Sequence, residues 1–259
     1  MIKLKNRQQI DGIRKSCKML SAMFRELIPH IKPGIETRDI NQWVQVWIKK
    51  AGAQPAFLGV GSKKNPFPAV ICISLNNEVI HGIPSRRKIH TGDLVSLDCG
   101  LDLGGFISDQ AITLEAGNVS PDAHKLSTVA RECLYTGIRE AKAGNRLLQI
   151  GRAVQNHAQL SGYGIVHQFH GHGVGFELHE DPPVPNISKG PNPKLSGGMV
   201  LAIEPMINAG TGDVRTLDDG WTVVTSDDKL SAHWEHTIAI FSDHTEILTE
   251  PVCGEQVSL

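Results

Sequence analysis

Ile10, Ile13, Cys17, Leu20, Phe24 and Leu27 recur three and four positions apart, the spacing that lines them up on one face of a helix. The period returns at Leu126, Val129, Ala130, Cys133 and Leu134. These follow Ser120-Pro121, a good N-cap with proline at the first helical position. Both stripes read as core. Each predicted helix leads through a Lys-x-Gly turn, Lys32-Pro33-Gly34 or Lys142-Ala143-Gly144, into a second helix. At this offset of 110 residues, Ile28 meets Ile138, Ile40 meets Ile150, Val44 meets Val154 and Gly52 meets Gly162. Strand-rich regions follow each pair, at 69–114 and 165–248. The chain therefore reads as helix, helix, sheet, twice over. That predicts an α+β fold with pseudo-two-fold halves, about 1–115 and 116–259. Their strands join in one central, largely antiparallel sheet covered by helices, within a single catalytic domain 1–259.

Five polar residues interrupt the apolar strand segments: Asp98 in DLVSLDCG, Asp109 in FISDQAITL, His172 in GHGVG, Glu204 in VLAIEP and Glu235 in WEHTI. Singly, each reads as a strand-end carboxylate or a core histidine. The first two carry a geometric argument, because the intervening LDLGG reads as a hairpin turn. A turn centred between Leu103 and Gly104 puts Asp98 and Asp109 directly opposite each other. Like charges so placed destabilise a sheet unless a cation or a shared proton lies between them.

Composition narrows the options. With 40% hydrophobic and 20% charged residues and a formal net charge of -1, the chain has no basic field for nucleic acid. Its one short basic run is Ser85-Arg86-Arg87-Lys88. The N-terminus lacks an apolar signal segment and no stretch approaches the roughly 20 apolar residues that span a bilayer, so a cytoplasmic protein without membrane partners is expected. Cys17, Cys72, Cys99, Cys133 and Cys253 form no CxxC pair and read as reduced thiols. A structural zinc site would be richer in Cys and His. Four carboxylates with one imidazole suit two divalent Mn, Fe or Co ions, whose charges cancel the four negatives. Two such ions, roughly 3.5 to 4 Å apart, can share a water and make it nucleophilic, which suggests metal-assisted hydrolysis.

The ordered strings NEVIHGIPS, LDCG, SDQA, GHGVG, LHEDP, AIEPM and EHTI run through nearly the whole chain. Together they resemble the type I methionine aminopeptidases of the short bacterial form, in peptidase family M24. The resemblance implies the pita-bread fold, with the dinuclear site in the central sheet. It implies that Asp109 and Glu235 bridge the ions, that Asp98 contributes to the site, and that His172 and Glu204 complete it, with Glu204 also the proton acceptor. It further implies that His81 and His179 contact substrate and stabilise the tetrahedral intermediate. Phe67, Cys72 and Trp221 are the corresponding candidates for the methionine pocket. Two departures bear on that pocket: Gly61–Pro68 replaces a Tyr-rich stretch, and Ile80 stands where Cys is common.

The implied activity is removal of N-terminal methionine from nascent polypeptides, preferring a small second residue, by a monomer that has the ribosome as a candidate partner. Two alternatives stay open at this point. One is a prolidase or Xaa-Pro aminopeptidase, which shares fold and ligands but usually adds an N-terminal domain. The other is a non-catalytic relative that binds protein or RNA.

Overall fold

In the computed structural model, which describes residues 1–250 and 252, the first apolar stripe forms α1 (Arg7–Leu27). Asn6 starts it with a capping box: its side chain accepts from Gln9 N at 2.9 Å, and the Gln9 side chain accepts from Asn6 N. Helix α2 spans Thr37–Lys50. The second pair, α3 (Pro121–Glu140) and α4 (Leu148–Leu160), opens on Ser120, whose hydroxyl accepts from Ala123 N at 3.1 Å. Every residue of both predicted stripes is buried. At about 1.5 to 3 kcal/mol for each large aliphatic side chain, these faces outweigh the helices' own propensities.

The Lys-x-Gly turns match in conformation. Gly34 and Gly144 have φ of +98° and +96°, and their amides donate to Ile89 O (2.8 Å) and Leu195 O (2.9 Å). The 110-residue echo is thus a repeated hydrogen-bonding unit. The first copy differs in that Ile28–His30 forms a short 3-10 turn where the matching residues, Ile138 to Glu140, still belong to α3.

Among the described residues nine strands make the main sheet: β1 (Gln54–Pro55), β2 (Cys72–Leu75), β3 (Leu94–Asp102), β4 (Ile107–Glu115), β5 (Gly171–Gly173), β6 (Glu180–Val184), β7 (Val200–Ile203), β8 (Glu235–Ile240) and β9 (Thr245–Ile247). Their order is β1-β3-β4-β8-β7-β5-β6, with β2 also on β3 and β9 also on β8, and every pairing is antiparallel. Strands from the two halves meet where β4 pairs with β8, so the sheet has the predicted seam. On β3, Val95, Leu97, Cys99 and Leu101 join the helices in the core. The period of two then turns Asp98 to the opposite face. Cys17, Cys72, Cys99 and Cys133 are buried free thiols, and Cys253 lies outside the described residues.

Candidate active site

The β3–β4 hairpin corrects one expectation. Its turn has four residues, Leu103 to Phe106, with reciprocal Leu103–Phe106 backbone hydrogen bonds at 3.0 and 3.4 Å, and is centred between Gly104 and Gly105. Asp98 therefore faces Ala111 and Asp109 faces Gly100, so the two carboxylates are diagonal neighbours instead of opposed. A shift of two residues leaves both on one face. Ala111 also pairs with Glu235 on β8, so its methyl group lies between two carboxylate-bearing strands and leaves room above it. On the other side of the seam His172 faces Ala202, again a small neighbour. Glu204 follows β7, where the β7–β8 register, carried one step further, sets it opposite Glu235. Glycines flank His172 because backbone crowds it: a Cβ would lie 2.2 Å from Ala202 O at Gly171 and 2.3 Å from Asp181 O at Gly173.

Five side chains from four strands and a strand end thus converge on one cavity of about 130 Å³. Asp109, His172 and Glu235 each offer one potential ligand atom, and these atoms lie within 4.8 Å of one another. His172 Nε2 is 3.4 Å from Glu204 Oε1 and 3.7 Å from Asp109 Oδ2. Its Nδ1 sits 2.9 Å from Gly173 O, which as a carbonyl can only accept. The ring proton thereby belongs on Nδ1, and Nε2 turns a lone pair toward the carboxylates. Asp98 Oδ1, Asp109 Oδ1 and Glu235 Oε1 are buried with no hydrogen-bond partner among the described residues.

Such a cluster cannot stay fully ionised alone. Burial pushes the Asp98 carboxyl up to about 7; burial together with neighbouring carboxylates raises Asp109, Glu204 and Glu235 well above the usual range. Burial pushes His172 down to about 3, so the imidazole supplies no compensating charge. Orphaned carboxylate oxygens around an imidazole lone pair fit divalent cations in donor type and in charge.

Apart from His81 and His179, the rest of the cavity is apolar. Phe67, Cys72 and Trp221 line it as expected, with Phe67 and Trp221 edge to face at 5.2 Å. Cys72 pairs with Asp98 in register, and burial, reinforced by that carboxylate, holds its thiol far above the usual range, so it is a neutral wall. Phe57, Val60 and Leu178 also line the cavity, and sequence reasoning missed them. Leu178 could have been found as the neighbour of His179. Phe57 and Val60 had no periodic signal; they precede a hairpin, Gly61–Ser62 against Asn65–Pro66, that folds against Trp221. The departing stretch has its own logic there, since a Cβ on Gly61 would lie 2.6 Å from the Trp221 ring.

His81 and His179 both line the cavity. His81 has φ +59°, uncommon for a residue with a side chain, and Gly82 presses so closely on β2 that a Cβ would meet Ile73 O at 2.2 Å. Burial, then His179, pushes His81 down to about 4; burial, then His170, lowers His179. Both are neutral donors near pH 7. The His179 ring stands edge-on to His172 at 4.5 Å. One further buried histidine escaped the sequence reading: His233, whose Nε2 lacks a hydrogen-bond partner among the described residues and lies 3.9 Å from Glu204 Oε2. Its position two residues before Glu235 was the available signal.

A family model for metallopeptidase family M24 matches residues 11–241. The chain belongs to that family. It is 49% identical to the methionine aminopeptidase of Treponema pallidum over 97% of each chain. The crystal structure of methionine aminopeptidase from Rickettsia prowazekii superposes with a TM-score of 0.93 at 34% identity, covering 96% of this chain and all of that one. Prolidase from Pyrococcus furiosus shares the fold, with a TM-score of 0.79, but at 23% identity and over only 66% of its own length. Within family M24, sequence and coverage thus favour the methionine aminopeptidases over the prolidases. The α+β pita-bread arrangement is that of these neighbours. Among the described residues, no helix is long and apolar enough to cross a membrane.

Proposed function

We propose that the chain is a dinuclear metallo-aminopeptidase that removes N-terminal methionine from nascent polypeptides, preferring a small second residue. The observation that carries this reading is the single cavity, in which an apolar pocket ends against five convergent metal-ligand side chains and two neutral histidines. Asp98, Asp109, His172, Glu204 and Glu235 would hold two divalent ions, Mn, Fe or Co. When bound, such ions lower the pKa of a coordinated water and polarise a carbonyl.

The remaining work falls to the chain's own side chains. Glu204, raised by burial and by Asp98, would take the proton at a carboxylate oxygen, a role supported by its Oε1 lying 3.4 Å from His172 Nε2 within the cluster. His81 and His179 can donate hydrogen bonds to the oxygen that gains charge at the scissile bond. Phe57, Phe67, Cys72, Leu178 and Trp221 would exclude water from the methionine side chain and discriminate by shape, at about 1 to 3 kcal/mol per methylene. The same reading takes residues 1–259 as one catalytic domain, with halves about 1–115 and 116–259. It would act as a cytoplasmic monomer on emerging chains, with the ribosome as a candidate partner.

Metal-stripped protein reconstituted with Mn, Fe or Co is expected to release methionine from Met-Ala-Ser. Glu204→Gln is expected to lower kcat by roughly 10²- to 10⁴-fold, the range for loss of a general base, with larger losses if metal is also lost. A panel of Met-Ala, Met-Pro and Ala-Pro peptides checks specificity. Preference for a non-methionine residue before proline would sink the assignment in favour of a prolidase-like enzyme.

A further inference from the structure

Lys5 precedes α1 and the residues matched by the family, yet its side chain is only 1% exposed. A buried ammonium is costly unless paired. Lys5 Nζ lies 2.5 Å from Oε2 of Glu180, whose side chain is also 1% exposed. The other Glu180 oxygen accepts from Phe176 N at 2.8 Å and from Glu177 N at 3.1 Å. One carboxylate therefore closes the turn 176–180 and binds Lys5. That turn carries Leu178 and His179, both of which line the site cavity.

The surroundings are fitted to this lysine. Its backbone N–H donates to Gly198 O at 2.7 Å, and a Cβ on Gly198 would come within 2.8 Å of Lys5 O. A Cβ on Gly175 would lie 3.0 Å from Lys5 Cε. Nearby ion pairs, Lys3 with Glu177 and the N-terminal amine with Asp181, are solvent-exposed and so contribute little. The buried pair is the specific contact.

The geometry points to Lys5 as a positioning residue for the proposed reaction: through Glu180 it fixes the turn that sets Leu178 and His179 against the site. This rests on the aminopeptidase reading, so the test has one arm that needs no activity. In Lys5→Met the apolar stem remains and the charge goes, leaving Glu180 buried and unpaired. Hydrogen exchange of the Phe176 and Glu177 amides is expected to speed up at least tenfold, with Ile112 in β4 unchanged. In the second arm, kcat/KM for Met-Ala-Ser falls about tenfold or more in Lys5→Met, and Lys3→Met stays within twofold of the parent. In a His179→Ala background Lys5→Met costs clearly less than in the parent, because much of its effect runs through that ring and only the part through Leu178 remains.

Lys5→Met/Glu180→Gln recovers most of the loss, since the amide carbonyl still accepts both N–H groups without a buried charge. If Lys5→Met does not fold, Lys5→Arg, which keeps the charge but not the close fit beside Gly175, takes its place in the exchange measurement and in the His179→Ala cycle. Parent-like exchange at residues 176 and 177 in Lys5→Met, or a loss that persists in full with His179→Ala, would overturn the proposal. A parent protein that releases no methionine with any ion refutes the aminopeptidase reading alone, and the exchange arm still decides the role of Lys5.

Discussion

The β3–β4 hairpin and the β7–β8 pair occupy matching places in the two halves, and they have diverged in what they bring to the site. Each begins at a glycine of positive φ, Gly92 or Gly198, whose amide donates across to Ala116 O or Ile240 O at 2.8 Å in both cases. The next rung matches too: Ala116 N donates to Asp93 O and Ile240 N to Met199 O, both at 2.9 Å. Carried along these registers, Asp98 corresponds to Glu204, Ala111 to Glu235 and Asp109 to His233, with Met206 facing His233 as Gly100 faces Asp109. The first half offers two short carboxylates around a methyl group. The second offers two longer carboxylates and an imidazole. A symmetric frame thus carries an asymmetric site, with the candidate base, Glu204, on the longer side chains of the second half.

Restoring the symmetry is expected to be the most damaging change. Ala111→Glu would copy Glu235 onto the first half and place another carboxylate between Asp98 and Glu235, at a position with no exposed surface. An uncompensated buried charge costs about 3 to 5 kcal/mol, which urea unfolding would register as a large drop in midpoint. Parent-like stability would show that the row across β3, β4 and β8 is looser than its register implies.

The same comparison explains what could be read in advance. The shared face of Asp98 and Asp109 was legible because strand alternation is indifferent to shifts of two: it holds whether the turn is centred after Leu103 or after Gly104. The centre of the turn was not legible, since Leu103-Gly104-Gly105-Phe106 offers turn residues under either centring and only the folded pairing decides. The helices and their echo were legible because their apolar spacing is local. Phe57, Val60 and the Lys5–Glu180 pair were not, because each depends on segments brought together by the whole fold. His233 could be noticed in the sequence only as a histidine two residues before Glu235, and its correspondence with Asp109 exists only once the two registers are known.

A second expectation concerns the metal-free protein, in which the two kinds of ligand pull stability in opposite directions with pH. The carboxyls of Asp98, Asp109, Glu204 and Glu235 are raised by burial, so the folded state keeps protons that the unfolded chain has released near pH 4. Their contribution is present below that range and is lost as pH rises through the folded values, about 7 for Asp98. His172 and His233, both pushed down to about 3 by burial, contribute stability above pH 6.5 and lose it as pH falls. Well above pH 7 the unfolded histidines are neutral too, and among the site groups the raised carboxyls set the slope. Metal-stripped protein should therefore lose stability as pH rises from about 7.5 to about 8.5, seen as a falling Tm, and saturating Mn should flatten the slope. A Tm that rises over this window without metal would contradict the assigned carboxyl shifts.

The smallest expected effect comes from His233, and it separates symmetry of frame from symmetry of function. If the position matching Asp109 were a ligand position in both halves, His233→Leu would be as harmful as Asp109→Ala, which should lose metal. The geometry argues otherwise. His233 Nε2 is 3.9 Å from Glu204 Oε2, beyond hydrogen-bond range, and has no hydrogen-bond partner among the described residues. Leucine fills a similar volume and removes a buried polar atom, so folding stability should hold or rise by about 1 kcal/mol. The backbone contacts of this residue survive the change, since Thr113 Oγ1 accepts from His233 N at 3.0 Å and donates to its carbonyl at 2.8 Å. Calorimetric titration with Mn should give parent stoichiometry, and turnover of Met-Ala-Ser should fall by less than about tenfold, or roughly 1.4 kcal/mol. Loss of a bound ion in His233→Leu would instead make the second half a donor at every matching position, and the asymmetry drawn above would fail.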